Sequence, residues 1–265
     1  MIIWLNEQAG PAAIGTKGSN LSLLTRAGFP VPPGFCISVD GFPRLTITEI
    51  DEAVGRLQTR AVAVRSSAVE EDLSRASFAG IYPTRLNVCT PEGVIEALNE
   101  IQAAREAPAT LAYCRKRGIP GDIRMAAIVQ QLIVPDASGV LFMNDPIGGR
   151  GQIVIEGSWS LGEAVVSGAV IPDQWVLSRN GQILTAKISN KDIAVVPAID
   201  GTCLVEVDLA RRRLPCLDDR LIQSLFELAL RCEEFFGGPQ DIEWAADGDK
   251  VWLLQSRPIT SAMLR

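Results

Sequence analysis

The chain has 265 residues, of which 47% are hydrophobic and 21% charged, and its formal net charge is -6 at pH 7. This composition is typical of a folded protein with one large domain or two smaller lobes, and it excludes a disordered chain. The acidic balance argues against a nucleic-acid partner, and the lack of an apolar run of about 18 residues argues against a membrane span. Six cysteines are scattered without a CxxC pair, which favours reduced thiols and a cytoplasmic location.

A glycine-bearing motif near the N-terminus carries the first candidate binding residue. Residues Gly15 to Asn20 precede a leucine-rich segment, and we interpret them as a loop that leads into a short helix. A Pro/Gly-rich turn and a strand over 35–37 follow. Lys17 stands just before the helix, where a lysine can reach an anion that also meets the helix N-terminus. The alternative is an ordinary exposed loop lysine, since the spacing is not that of a P-loop.

A second motif joins an arginine to a loop of small residues. An apolar strand over 61–64 ends at Arg65, and two serines begin a loop that continues through Gly80 to a strand from Thr84 to Val88. Hydroxyl groups, backbone N–H groups and an arginine are suitable ligands for phosphate, and glycine permits close approach of the backbone. The pattern therefore predicts a loop that covers phosphate groups.

The remaining segments predict helices and strands arranged in two lobes. Helical periodicity and capping residues predict helices over 48–58, 90–106, 111–117 and 218–236. Apolar strands are predicted over 126–134, 137–143 and 153–156, with a hairpin around an Asn-Gly pair at 180–181. A segment rich in glycine and proline at 118–121 divides the chain into lobes of residues 1–118 and 119–265.

A hairpin near the C-terminus places four polar side chains on one face. Two alternating segments flank an Asp-Gly turn, which is a strong hairpin signal. Asp241 and Glu243 share a face of the first strand, and Gln255 and Arg257 share a face of the second. Carboxylate and amide oxygens suit Mg²⁺ held against phosphates, and a guanidinium suits the phosphates themselves. The alternative is a hairpin whose polar face is only solvated.

Five sequence blocks, taken in order, resemble one known family over nearly the entire chain. They are residues 15–20 with 30–35, 64–68 with 76–80, 138–142 with 145–146, Glu156 with 161–168, and 239–244 with 254–260. These blocks resemble the ATP-binding domain of phosphoenolpyruvate synthase and pyruvate phosphate dikinase, which rifampicin phosphotransferase shares. The resemblance implies an ATP-grasp fold of mixed α/β (α+β) class, with two lobes that clasp ATP.

The resemblance also implies roles for residues of the first two blocks and of the strand beyond them. Lys17 and Arg65 are implied to contact phosphates, and Gly80 and Thr84 to belong to the covering loop. The segment Gln130 to Leu132 is implied to form the hinge strand beside adenine. For Gln130 the alternative is a structural one, as a polar residue at the edge of a core strand.

The hairpin residues receive metal and phosphoryl roles from the same resemblance. Glu243 and Gln255 are implied to hold Mg²⁺, Asp241 to support that site, and Arg257 to sit on the transferred phosphoryl group. Together with the two cations of the first lobe, Asp241 and Arg257 make up the implied catalytic set. Phosphoryl transfer needs alignment and charge neutralisation, so a site of this composition is sufficient.

Two departures from the family pattern bear on the reaction. The segment 38–60, between the Pro-Pro-Gly strand and the Arg-Ser-Ser block, is shorter than in most members. The relay enzymes of the family pass phosphate through a histidine, and this sequence contains none. We therefore expect the acceptor to be a histidine-bearing phosphocarrier protein or a small molecule. The sequence is also compatible with an excised domain of a longer chain, with an ATP-grasp ligase that forms an acyl phosphate, and with a nucleotide-binding module without turnover.

Overall fold

The chain folds as two units. The first consists of Met1–Leu132 with Pro197–Gly201, and the second of Ile133–Val196 with Thr202–Arg265. The computed structural model describes residues 1–41, 44–69, 82–117, 123–144 and 151–259. Both units combine sheets with helices, which confirms the predicted mixed α/β class.

The first unit is built on a five-stranded sheet in which all neighbouring strands are antiparallel. Its strands are β1 (Ile2–Trp4), β2 (Gly34–Ile37), β3 (Val62–Ala68), β4 (Thr84–Val88) and β5 (Met125–Gln131). They lie in the order β1-β2-β5-β3-β4, so β5 pairs with both β2 and β3 in the middle of the sheet. Antiparallel sheets of this kind are the α+β form of the predicted class.

The described helices of the first unit begin at residues suited to a helix N-terminus. They are α1 (Pro11–Arg26), α2 (Ile47–Arg56), α3 (Pro91–Glu106) and α4 (Pro108–Arg117). Thr46 caps α2 in a capping box that Glu49 completes. Thr90 caps α3 by accepting a hydrogen bond from the Gly93 N–H at 3.1 Å. The start and end predicted for α3 are thereby confirmed.

The core of the first unit lies between one face of this sheet and the helices α2 and α3. Its buried side chains are apolar and include Phe35, Ile37, Val62, Val64 and Val129 from the strands and Ile50, Val94, Leu98 and Ile101 from the helices. Burial of each large side chain of this kind stabilises the fold by about 1.5–3 kcal/mol. Because strand residues alternate between faces, the core positions on β3 leave Arg65 on the opposite face of the sheet.

The second half of the chain contributes eight described strands. In chain order they are β6 (Ala137–Phe142), β7 (Ile153–Ser158), β8 (Asp173–Leu177), β9 (Ile183–Lys187), β10 (Ile193–Pro197), β11 (Thr202–Glu206), β12 (Gln240–Asp247) and β13 (Lys250–Pro258). β10 and β11 form a separate two-stranded sheet. The other six form an antiparallel sheet in the order β13-β12-β6-β7-β8-β9.

Two described helices accompany the second sheet, α5 (Gly162–Val166) and α6 (Asp219–Phe236). The Asp218 carboxylate accepts a hydrogen bond from the Leu221 N–H at 2.8 Å and so caps α6. Gly237 ends this helix with a φ of 73°, as its sequence position predicts. Over the described ranges, no helix has the length and apolar character needed to cross a membrane.

The units divide later in the chain than the predicted boundary between residues 118 and 119. β5 is paired with β2 and β3, so the strand that was expected to open the second lobe belongs to the first sheet. The segment 118–121 itself lies outside the described residues. The turn Pro197–Gly201 also belongs to the first unit, where the Asn87 side-chain amide donates to the carbonyl groups of Ala198 and Gly201 at 2.8 and 2.7 Å.

Candidate functional site

Lys17 lies in α1, directly after a break in that helix. Gly15 has φ 71° and ψ 170°, so the helix stops and restarts there. Ser67 of β3 bridges the break, because its hydroxyl donates to the Ile14 carbonyl at 2.8 Å and accepts from the Gly18 N–H at 3.0 Å. A Cβ atom at position 15 would lie 2.1 Å from the Ser67 carbonyl oxygen, so this approach requires glycine. Lys17 therefore occupies the first turn of the restarted helix, whose N-terminus favours anions.

The loop predicted for residues 15–20 is thus wrong, since these residues form a helix with one break. Pro11 lies in the first turn of α1. Backbone N–H groups in this turn have no acceptor within the helix, so a proline, which has no N–H, costs no hydrogen bond there. The Thr16 hydroxyl donates to the Val69 carbonyl at 3.1 Å and further ties α1 to the end of β3. The glycine motif therefore brings the helix onto the sheet, and Lys17 is carried by a regular element.

Arg65, Thr84 and Gln130 lie on one face of the first sheet. Arg65 on β3 is directly opposite Thr84 on β4. Ala63, two positions before Arg65 on the same strand, is opposite Gln130 on β5. Paired residues and residues two apart share a face, with about 4.5–5.5 Å between paired Cβ atoms. Ser67 lies on this face and contacts α1, so Lys17 is carried on the same side of the sheet.

β3 is longer than the sequence predicted. Ser66, Ser67 and Ala68 continue the strand beyond Arg65 and pair with residues 125–127 of β5. The small side chains allow this, because α1 packs closely on the strand at Ser67. Arg65 therefore stands within a strand rather than at its end. Gly80, the predicted glycine of the covering loop, lies outside the described residues.

The two hinge candidates are held in different ways. Gln130 is buried, and its side-chain amide donates to the Pro32 carbonyl at 3.0 Å. Leu132 follows β5, is half-buried, and donates its backbone N–H to the Ala61 carbonyl at 3.1 Å. The Gln130 side chain thus ties β5 to the proline-rich turn before β2, and its place beside adenine stays a prediction.

In the second unit, β12 and β13 form the predicted C-terminal hairpin. Glu243 is directly opposite Gln255, and Asp241 is directly opposite Arg257. The core face of the same strand carries Trp244, which is fully buried. The structure therefore brings all four polar candidates of this unit to one face of the second sheet.

A β-bulge lies directly beside Glu243. The register shifts after the pair of Glu243 with Gln255, so that Trp244 is opposite Leu253 and Leu254 is the extra residue. In a regular strand Leu253 would share the face of Gln255, but the bulge turns it into the core, where it is fully buried. The bulge thus separates the polar open end of the hairpin from the apolar pairs that precede the exposed Asp-Gly turn.

Asp241 orients Arg257. Two guanidinium nitrogens of Arg257 contact Oδ2 of Asp241 at 2.7 and 2.6 Å, and the Asp241 side chain is only 3% exposed. Burial raises the pKa of Asp241 above its ordinary value, while the positive charge and hydrogen bond of Arg257 act in the opposite direction. The Asp241 carboxylate therefore fixes the direction of the Arg257 guanidinium, and its support of the metal site stays a prediction.

Two polar residues on the core face of the hairpin were not predicted from the sequence. The Ser256 hydroxyl donates to Oε1 of Gln240 at 3.0 Å, and both side chains are buried. The Gln240 amide donates in turn to the Gly238 carbonyl at 2.9 Å. These bonds fix the open end of the hairpin, next to Asp241 and Arg257. In the alternating pattern of each strand, Gln240 and Ser256 occupy positions that should face the core. A polar residue at such a position was the sequence signal that could have predicted this pair.

The donor set of the hairpin fits Mg²⁺ that is bound together with phosphates. Glu243 and Gln255 offer a carboxylate and an amide oxygen from directly opposite positions. Mg²⁺ in phosphate-transferring proteins is held by one or two carboxylates, with substrate phosphates and water completing its six ligands. No cluster of three or more His, Cys, Asp or Glu side chains suited to a metal occurs among the residues that the structure describes. An ion here would therefore need phosphate oxygens.

The chain is similar along most of its length to a known nucleotide-binding domain. The family described as pyruvate phosphate dikinase, AMP/ATP-binding domain, matches residues 41–264. The chain belongs to this family. Its membership confirms the resemblance to the phosphoenolpyruvate synthase and pyruvate phosphate dikinase domain, and with it the ATP-grasp class.

Relatives of this pyruvate phosphate dikinase domain include named phosphotransferases. A rifampicin phosphotransferase from Streptomyces sviceus is 34% identical, over 96% of this chain and 35% of its own length. A probable phosphoenolpyruvate synthase from Methanothermobacter thermautotrophicus is 33% identical, over 93% of this chain and 44% of its own length. The chain thus spans less than half of either relative. Among solved structures, a D-alanine--D-alanine ligase from Bacillus anthracis complexed with ATP gives a TM-score of 0.43 at 9% identity, over 91% of this chain and 54% of that one.

Proposed function

We propose that this chain binds Mg-ATP and transfers a phosphoryl group from it to an acceptor outside the chain. The observation that carries the proposal is the hairpin, where Glu243 faces Gln255 and Asp241 orients Arg257 on the same face. Phosphoryl transfer depends on positioning and on neutralisation of charge. Two oxygen ligands for Mg²⁺ beside an oriented guanidinium supply both, and the bound ion would neutralise charge on the phosphates.

The first unit is proposed to supply the remaining positive charge. Lys17 on the restarted helix and Arg65 on β3 lie on the same side of the first sheet, with the Thr84 hydroxyl directly opposite Arg65. Two cations and a hydroxyl suit the oxygens of a triphosphate. Gly80 in the covering loop and the segment Gln130 to Leu132 beside adenine complete the proposed nucleotide contacts.

The acceptor is proposed to be a histidine-bearing phosphocarrier protein or a small molecule. The 265 residues contain no histidine, so a phosphohistidine relay needs a residue outside them. A rifampicin phosphotransferase and a probable phosphoenolpyruvate synthase stand among the relatives, and each name contains a small molecule, the compound acted on in the first and the compound formed in the second. A direct small-molecule kinase, or a ligase that forms an acyl phosphate, is the second candidate. Neither nucleic acid nor membrane is a proposed partner, and the cytoplasmic location stays a prediction.

Isothermal titration calorimetry with ATP in the presence and absence of Mg²⁺ tests the phosphate site. Lys17→Ala and Arg65→Ala should each weaken Mg-ATP binding about 10- to 100-fold, because each removes a charged hydrogen-bond donor to phosphate. Lys116→Ala removes an exposed lysine of α4 and serves as the matched control, with unchanged affinity. Wild-type affinity in both site variants would contradict the proposed phosphate contacts.

A further inference from the structure

The Ser67 hydroxyl of β3 is inserted into the hydrogen-bond ladder of α1. In a regular helix the Gly18 N–H would donate directly to the Ile14 carbonyl, four residues earlier. Gly15 between them has a non-helical backbone conformation, and the fully buried Ser67 bridges the two groups instead. Its hydroxyl donates to the Ile14 carbonyl at 2.8 Å and accepts from the Gly18 N–H at 3.0 Å. One side-chain oxygen of the sheet therefore takes the place of one backbone bond of the helix.

The residues on both sides of Lys17 are tied to the sheet. The Thr16 hydroxyl donates to the Val69 carbonyl at 3.1 Å, just beyond the end of β3. Gly18 donates its N–H to β3, and a Cβ atom at Gly18 would lie 2.9 Å from the Cys36 sulfur on β2. The backbone on either side of Lys17 is thus held from two directions, and these contacts fix the direction in which its half-buried side chain leaves the helix.

The strand that holds this helix also carries the second cation of the proposed phosphate site. Arg65 and Ser67 are two residues apart on β3, so they share a face and are about 7 Å apart along the strand. Arg65 is attached to β3 directly, whereas Lys17 is held against it through the Ser67 hydroxyl. A single strand therefore sets the positions of both cations.

We propose that Ser67 is a positioning residue for Lys17, and that its hydroxyl directs the lysine toward the phosphate groups of the nucleotide. This inference rests on the proposed function, since it takes ATP as the ligand of Lys17. Alanine at position 67 would fit the space but would supply neither hydrogen bond. The Ile14 carbonyl and the Gly18 N–H would then lose their bridge, and the backbone that carries Lys17 would shift.

A double-mutant cycle with Lys17 separates a positioning role from a purely structural one. In titration calorimetry, Ser67→Ala should weaken Mg-ATP binding about 10-fold, because two buried backbone groups lose their partner and the lysine is displaced. In a chain that already carries Lys17→Ala, the same change should weaken binding about twofold or less, since no lysine remains to be positioned. The midpoint of urea unfolding, by contrast, should fall by the same amount in both backgrounds.

Ser66→Ala is the matched control, because Ser66 is the adjacent buried serine and points to the opposite face of β3. It should leave Mg-ATP affinity unchanged in both backgrounds. Thr16→Val removes the other side-chain bond beside Lys17 and keeps the shape of the side chain. It should weaken binding about threefold, again only where Lys17 is present, so the test does not depend on the folding of Ser67→Ala.

Equal losses of affinity from Ser67→Ala with and without Lys17 would overturn the positioning role and leave a structural one. Unchanged affinity in both Ser67→Ala and Thr16→Val would also overturn it, while Mg-ATP binding by the unaltered chain would stand. Absence of Mg-ATP binding by the unaltered chain would contradict the proposed function and, with it, this inference.

Discussion

Asp241 orients Arg257, the residue proposed to contact the transferred phosphoryl group. A guanidinium is always charged, so its usefulness to a phosphoryl group depends on where it points. The buried Asp241 carboxylate contacts two nitrogens of Arg257 and thereby fixes its direction. Burial of a carboxylate is costly, and an arginine partner offsets only part of that cost. The pair is therefore better explained by the orientation of Arg257 than by the stability of the hairpin.

Asp241→Asn tests this explanation at the level of one residue. The variant keeps the shape of the side chain but removes the charge that orients Arg257, so phosphoryl transfer should fall about 10- to 100-fold. The raised pKa means that the folded protein binds the Asp241 proton more tightly than the unfolded chain does. Wild-type stability therefore falls as pH rises from the ordinary value of 3.8 through the raised value.

Asparagine does not titrate, so the Asp241→Asn variant lacks the loss of stability that the wild type shows as pH rises. Its free energy of unfolding should therefore improve relative to that of the wild type between about pH 3 and about pH 7. Urea denaturation followed by circular dichroism at both pH values measures the difference. A difference that is the same at the two pH values, together with unchanged turnover, would show that Asp241 neither titrates in this range nor serves Arg257.

At the scale of the element, the break in α1 connects the packing of this helix to the position of Lys17, a proposed phosphate ligand. The helix can approach β3 closely because Gly15 has no side chain, and Ser67 then satisfies the backbone groups that the break leaves open. Lys17 follows the break by two residues, so the same geometry that packs the helix also places the lysine. A change at Gly15 should therefore affect both stability and nucleotide affinity.

Gly15→Ala should destabilise the protein by at least about 2 kcal/mol, because the backbone conformation is one that favours glycine and the new methyl group would overlap Ser67. ATP affinity should fall with it, as the helix moves away from β3. Gly55→Ala is the matched control, since Gly55 lies in α2 with no atom within 4 Å of the added Cβ. That variant should be neutral or stabilised by about 0.5–1 kcal/mol. Equal unfolding midpoints for the two variants would contradict the packing role of Gly15.

The bounds of some helices could be predicted from the sequence, whereas those of some strands could not. α3 and α6 were predicted to within a residue or two because Thr90, Asp218 and Gly237 act locally, through the backbone of the same helix. The extension of β3 beyond Arg65 was not predicted, because serine and alanine become strand residues only when β5 supplies their partners. The bulge at Leu254 was missed for the same reason, since a register shift is a property of two strands.

At the scale of the whole molecule, the order of the motif blocks identified the family, but it did not locate the boundary between the units. An apolar run such as that of β5 is compatible with the last strand of one unit or the first strand of the next. Only its pairing with β2 and β3 assigns it to the first. The candidate residues could be named in advance because the side chains that bind phosphate and Mg²⁺ belong to few residue types, and their roles stay predictions. The role of Ser67 depends on a long-range contact that residue type does not reveal.

The composition of the whole chain leads to the last prediction. A dikinase relay moves the β-phosphoryl group to histidine and releases AMP and phosphate, and these 265 residues contain no histidine to receive it. The chain incubated with Mg-ATP should therefore form no phosphohistidine on itself and show at most slow hydrolysis. Turnover should appear when an acceptor with a histidine, or a small molecule with a nucleophilic hydroxyl, amine or carboxylate, is added. Anion-exchange separation of the nucleotides identifies the product: AMP with a partner protein indicates a relay, and ADP with a small molecule indicates a direct kinase or a ligase. Rapid formation of AMP by the purified chain, with water as the sole nucleophile, would contradict an acceptor-dependent phosphotransferase.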